Sequence, residues 1–192
     1  MPFFRITLLC CTLAMIACTG NHTNTVIATD TNTVPALTPL HLVSSAFKEG
    51  ENIPSIYTCD STNVSPALHW NNPFKNTKSF ALIMDDPDAP MGTWVHWVLY
   101  NIPASDTALS SSSVKDSVWA NGTKQGVTSF RTLGYGGPCP PSGVHHYYFK
   151  LYALDTLFQL PAGKGKQQLL NTMKGHILGE ADLMGKYKKL KG

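Results

Sequence analysis

Apolar residues are dense from Ile6 to Ala17, behind a lone Arg5, and then become sparse until Leu40. Beyond Leu40 they return in short bursts separated by Gly, Pro and Asn clusters. Ser79–Asp85 is continuously apolar from Phe80 to Met84 and reads as a buried strand. Trp94–Asn101 is aromatic and β-branched and reads as a second strand. In His145–Leu154 the period is two: His145, Tyr147, Phe149 and Leu151 share one face, while His146, Tyr148, Lys150 and Tyr152 share the other. The first set is the apolar one, so His145 is expected to point inward and His146 to water. Leu40–Phe47 alternates more weakly around Leu42. Leu169, Leu170, Met173 and Ile177 recur at helical spacing and predict a helix over Lys164–Leu178, closed by Gly179, with Met173 and Ile177 facing the core. Short strands between Gly/Pro punctuation predict a mainly β domain over residues 40–192, a sandwich or barrel, with Ser110–Ser113 in a surface loop.

The N-terminal run is too short to span a bilayer but fits the apolar core of a signal peptide. It ends in Leu13-Ala14-Met15-Ile16-Ala17-Cys18, which resembles a bacterial lipobox. Residues 1–17 are therefore expected to leave as a signal peptide and Cys18 to take lipid. Residues 18–39, rich in Thr and Asn, would form a flexible tether to the cell envelope. An ordinary signal peptide cut nearby is the alternative. At 192 residues and 43% hydrophobic, the chain can bury one core. Fifteen basic against twelve acidic residues give +3, less one once Arg5 has gone, which is too small and too scattered for a nucleic-acid partner. The basic run Lys186–Lys191 reads as a solvated, frayed end. Of five cysteines, Cys10 and Cys11 leave with the signal and Cys18 takes lipid. Cys59 and Cys139 remain, in a chain bound for an oxidising compartment, so a disulfide between them is expected; two buried thiols are the alternative.

Candidate chemistry lies between the strands. Asp85-Asp86-Pro87-Asp88-Ala89-Pro90 is an acidic, proline-locked turn leading to Trp94-Val95-His96-Trp97. Asp85 and Asp86 are adjacent, so at most one can enter a given pocket. Alternation cannot orient His96, because both faces of its strand are apolar. Further on, Gly134-Tyr135-Gly136-Gly137-Pro138-Cys139-Pro140-Pro141-Ser142-Gly143 runs straight into His145-His146-Tyr147. Glycines let backbone approach a ligand closely, and successive amides in such a loop can cradle an anion.

Together with Tyr57-Thr58-Cys59-Asp60 and Asn63-Val64-Ser65-Pro66-Ala67-Leu68-His69-Trp70, these motifs resemble the phosphatidylethanolamine-binding protein family, and its bacterial Raf-kinase-inhibitor-like branch in particular. The resemblance implies an antiparallel two-sheet β-sandwich with a few peripheral helices. It implies a non-catalytic binding protein with a small preformed pocket for an anion such as phosphate or a phosphoethanolamine headgroup. Carried over, the pocket would be lined by Asp86, Ala89, Pro90, Trp94, His96, Gly137, His145 and Tyr147, with Asp88 supporting the turn from behind. No cofactor or metal is implied, and the membrane is reached through the lipid anchor. Animal members hold a glycine near the place of Cys139 and carry a C-terminal helix beside the pocket that is not evident here. Other readings are a hydrolase using Ser142, His145 and Asp86, which lacks a nucleophile elbow, and a metal site on His96, His145, Asp86 and Asp88, which lacks a close-spaced ligand pair. An envelope protease or kinase inhibitor acting through surface contacts is a further class, unreadable from residues alone.

Overall fold

The computed structural model describes residues 39–112 and 114–190. The expected signal peptide, Cys18 and the tether up to residue 38 lie outside them. Among the described residues, eight strands form two antiparallel sheets. β1 (Leu42–Ser44), β2 (Leu68–Trp70) and β5 (Ala108–Leu109) make a short sheet in the order β1-β2-β5. The larger sheet combines β3 (Ser79–Asp86), β4 (Trp94–Pro103), β6 (Lys124–Gln125), β7 (His145–Leu154) and β8 (Ile177–Tyr187), in the order β6-β4-β3-β7-β8.

Alternation along the long strands explains the layers. Phe80, Leu82 and Met84 of β3 join Trp97, Leu99, Tyr147, Phe149 and Leu151 in a core that meets Leu42, Leu68, Trp70 and Leu109 of the small sheet. The opposite face of β3, Ala81 and Ile83, packs with Val98, Tyr100, Tyr152 and Leu154 beneath Leu169 and Met173. Those two residues belong to α1 (Lys166–Met173). Covered on both faces, β3 is buried along its whole length, and its sequence is continuously apolar from Phe80 to Met84 for that reason.

Several of the expected elements need adjustment. The helix ends at Met173 rather than Leu178, because Gly175, at φ +80°, turns the chain out of helical geometry. Met173 is fully buried as expected, but Ile177 is 43% exposed and opens β8. β8 itself carries little hydrophobic pattern; its ladder with β7 from Leu154↔Ile177 to His145↔Tyr187 creates it. The basic end is accordingly not frayed throughout. Lys186 and Tyr187 are paired strand residues, and Asp60 accepts from both the Tyr187 hydroxyl and the Leu190 amide. Leu40–Phe47 contracts to a three-residue strand, and the peripheral helices reduce, among the described residues, to α1 and a 3-10 turn at Ser55–Tyr57.

Cys59 and Cys139 are bonded, with their Cα atoms 5.4 Å apart. The bridge joins the segment after the 3-10 turn to the glycine-proline loop before β7. It spans a sequence separation of 80 residues, a loop whose closure contributes roughly 4 kcal/mol in chain-entropy terms. Guanidinium unfolding with and without a reductant measures this. The reduced protein, or Cys59→Ser, should unfold at clearly lower denaturant, with two thiols titrating only after reduction.

Candidate functional site

The acidic turn and the glycine-proline loop meet at one end of the large sheet, around a cavity of ≈ 320 Å³. Its wall contains Asp86, Ala89, Pro90, Trp94, His96, His145 and Tyr147, seven of the residues expected there. Strand alternation decides which carboxylate enters. Asp86 continues the inward face of Phe80, Leu82 and Met84, whereas Asp85 emerges on the α1 side, where Lys150 and Lys166 neutralise it.

His96 arrives by a different route. β3 and β4 pair Met84 with Trp97 and then Asp85 with Val95, so His96 is the extra residue of a β-bulge. The bulge turns its ring toward Tyr147, edge-on at 5.2 Å. His96 Nδ1 lies 2.6 Å from the Gly136 carbonyl, and the Gly136 amide donates to the His96 carbonyl at 3.0 Å. A carbonyl only accepts, so Nδ1 carries the hydrogen and Nε2 is left as an acceptor. Burial holds the His96 pKa below the ordinary histidine value, partly opposed by the Gly136 hydrogen bond and the Asp86 charge.

Asp86 is 3% exposed and His145 7%, and the pair meets at 2.7 Å between Oδ2 and Nδ1. Asp86 Oδ1 also accepts the Asp88 amide at 2.8 Å. With Nδ1–H given to the carboxylate, His145 keeps Nε2 for the cavity. Asp88 in turn accepts both the amide and the ring Nδ1 of His146, which lies on the opposite, water-facing side of β7. That ring hydrogen bond draws the Asp88 carboxyl below its usual range. The Tyr147 hydroxyl is buried without a hydrogen-bond partner among the described residues. Burial, and then the nearby Asp86 charge, raise its pKa, so it remains a protonated donor.

The sequence matches the family model described as phosphatidylethanolamine-binding protein over residues 43–188. The chain belongs to the phosphatidylethanolamine-binding protein family. It is 49% identical over 150 residues to a UPF0098 protein of Methanothermobacter thermautotrophicus, covering 78% of this chain and 99% of that one. A UPF0098 protein of Aquifex aeolicus is 44% identical over 153 residues, covering 78% and 89%. Among solved structures, the homologue CT736 of Chlamydia trachomatis superposes with a TM-score of 0.72 at 38% identity, over 79% of this chain and 99% of that chain. E. coli YbcL gives 0.73 at 31%, over 80% and 100%.

Within this family member, Gly137 is the expected wall residue that the structure places elsewhere. Its amide donates to Asn63 Oδ1, and a Cβ there would lie 2.4 Å from both that oxygen and the Tyr57 carbonyl. It faces a neighbouring cavity and is a close-packing position. Ser142 is exposed and does not contribute to the wall, so the nucleophile of the hydrolase reading is not assembled with His145 and Asp86. The wall also gains Met91, Phe130, Cys139, Pro140 and Pro141. Cys139, Pro140 and Pro141 were visible as part of the rigid loop. Phe130 was not: it sits in an irregular segment and takes its place edge-on to Trp94 and His96, at 5.4 Å from each.

Gly137→Ala should destabilise the fold by about 1–3 kcal/mol, the usual range for overpacking, as read from thermal or urea unfolding. A second expectation concerns pH. Because the folded pKa of His96 is depressed, the unfolded chain takes up a proton at this position that the fold refuses. The contribution is intact above the unfolded value of 6.5 and is lost as pH falls toward the folded one. His96→Asn retains a donor for Gly136 but cannot titrate. Urea unfolding at pH 7.5 and pH 5 should show the wild type losing more stability than this variant.

Proposed function

We propose that the Asp86–His145–Tyr147 cavity binds a small oxyanion, as phosphate or as the phosphate of a headgroup such as phosphoethanolamine, without transforming it. The observation that carries this reading is the buried Tyr147 hydroxyl, which has no hydrogen-bond partner among the described residues and shares a cavity wall with His145. A buried hydroxyl left unpaired is unfavourable, and a ligand oxygen would satisfy it. A protonated His145 would offer Nε2–H to the same anion while Asp86 accepts from Nδ1, a charge-assisted arrangement on both sides of the ring. The Asp86 carboxylate would repel an anion if left bare, and its pairing with His145 offsets that. His96, an acceptor at Nε2, suits the remaining proton of a phosphate monoester or an ammonium group.

The wall is stiff before any ligand arrives. Pro90, Pro140 and Pro141 fix backbone angles, and the Cys59–Cys139 bond holds the loop, so little ordering is required on binding. The same proposal places the domain at the bacterial envelope, held by lipid on Cys18. It assigns no catalytic residue and no cofactor, and it does not extend to kinase inhibition.

Calorimetry tests the pocket. Phosphate and phosphoethanolamine should each bind the wild type, and His145→Ala should weaken both by about tenfold or more, the cost of one charge-assisted hydrogen bond. Repeating the titration in buffers of different ionisation enthalpy should reveal proton uptake on binding. Identical isotherms for wild type and His145→Ala would remove the assignment.

A further inference from the structure

A second cavity, of ≈ 300 Å³, shares Phe130 and Cys139 with the first. Besides Tyr135, whose hydroxyl donates to the Tyr57 carbonyl at 2.7 Å, its polar side chains are Asn63, Lys115 and Thr132, and none of its lining residues is acidic. Each of the three has hydrogen-bonding capacity unspent among the described residues. Lys115 Nζ donates to the Tyr135 carbonyl at 2.6 Å, which leaves two of the three N–H groups of an ammonium. Asn63 uses Oδ1 to accept the Gly137 amide, and its amide nitrogen finds no protein acceptor. The Thr132 hydroxyl makes no protein hydrogen bond, although its carbonyl accepts twice from Thr128.

The glycine run explains how these groups come to line one space. A Cβ at Gly134 would fall 2.6 Å from Lys115 Cδ, one at Gly136 2.6 Å from the Phe130 ring, and one at Gly137 2.4 Å from Asn63 Oδ1. Each glycine therefore makes room for a different side chain of the same cavity wall. The acidic residues near these positions in sequence do not line this cavity. Asp116 lines a separate cavity beside Trp119, and Asp60 accepts from Tyr187 and Leu190.

We propose that this donor-lined cavity is a second anion site, in which Lys115 Nζ, the Asn63 amide and the Thr132 hydroxyl hold one carboxylate or phosphate oxyanion. Lys115 is an exposed residue whose ammonium is partly desolvated, which lowers its pKa, and a bound anion offsets that cost. The site is independent of the Asp86–His145 pocket: its donors are different, and its occupancy does not need His145.

Two-dimensional 15N–1H NMR at constant ionic strength tests it, with sodium acetate and inorganic phosphate titrated separately. Amide shifts should appear at Asn63, Lys115 and Thr132 and persist in His145→Ala. In Lys115→Met the Kd read from these resonances should rise about tenfold, as expected for loss of a charge-assisted contact, and Lys115→Arg should restore most of it. Thr132→Val should weaken the same set if Lys115→Met does not fold. A response to acetate identifies the group as a carboxylate, and a response to phosphate alone identifies a phosphoryl group. No shift with either anion, or shifts unchanged in Lys115→Met and Thr132→Val, would overturn the site. Loss of shifts confined to His145 and Tyr147 bears on the first pocket alone.

Discussion

The cavity end of the sandwich hangs on the pairing of His96 with Gly136. Two hydrogen bonds run between them in opposite directions, ring to carbonyl and amide to carbonyl, and they fasten the glycine-proline loop to β4. Without the β-bulge at His96 the ring would follow plain alternation and could not make this contact. Once the loop is fastened, its other anchors fall within reach: Cys59 amide to Pro138 carbonyl, Tyr135 hydroxyl to Tyr57 carbonyl, and Gly137 amide to Asn63. Burial keeps His96 neutral, and neutrality fixes its chemistry as donor at Nδ1 and acceptor at Nε2.

Two adjacent carboxylates at the end of a buried strand would be costly unless both were compensated. The pleat sends them to opposite faces, and each meets its own partners. Asp85, 1% exposed, is held by Lys150 and by Lys166, the first residue of α1, so its charge also helps seat the helix on the sheet. Asp86 receives, among the described residues, a histidine and one amide. That weaker compensation is the difference between them. The Asp85 ion pairs close a surface, while the Asp86–His145 pair leaves an imidazole nitrogen and a tyrosine hydroxyl uncommitted at a cavity.

Much of this was legible in the residues. Alternation in His145–Leu154 gave the strand boundaries and the inward direction of His145 and Tyr147, because a half-buried strand writes its faces with period two. Ser79–Asp86 was equally plain, since both of its faces are covered. β8 left little trace: its partner strand and the short segments across it supply its order, and its own side chains are largely glycine, polar or half-exposed. The family resemblance correctly indicated the fold, and seven of the eight residues it implied share one cavity wall. Gly137 is the implied residue that this wall leaves out, and a glycine in such a loop has two explanations, approach to a ligand or approach to protein. Only coordinates distinguish them, here through Asn63 and Tyr57. His96 could not be oriented for a related reason: a bulge is a property of two strands together, and no single strand encodes it.

The glycine run then carries a different meaning from the one its composition first invites. Its flexibility in the unfolded chain is a cost to the fold, since glycine loses the most conformational freedom on ordering. The disulfide, the prolines and the reciprocal His96 link oppose that cost by confining the same segment. What the glycines contribute is the absence of side chains where three other residues must approach. A loop so confined can serve as a common partition, with the Phe130 ring and Cys139 facing cavities on both sides. Rigidity at this partition, more than any single donor, is what would let a small cavity hold a ligand with few contacts under the proposed function, because binding would then require almost no ordering of the protein.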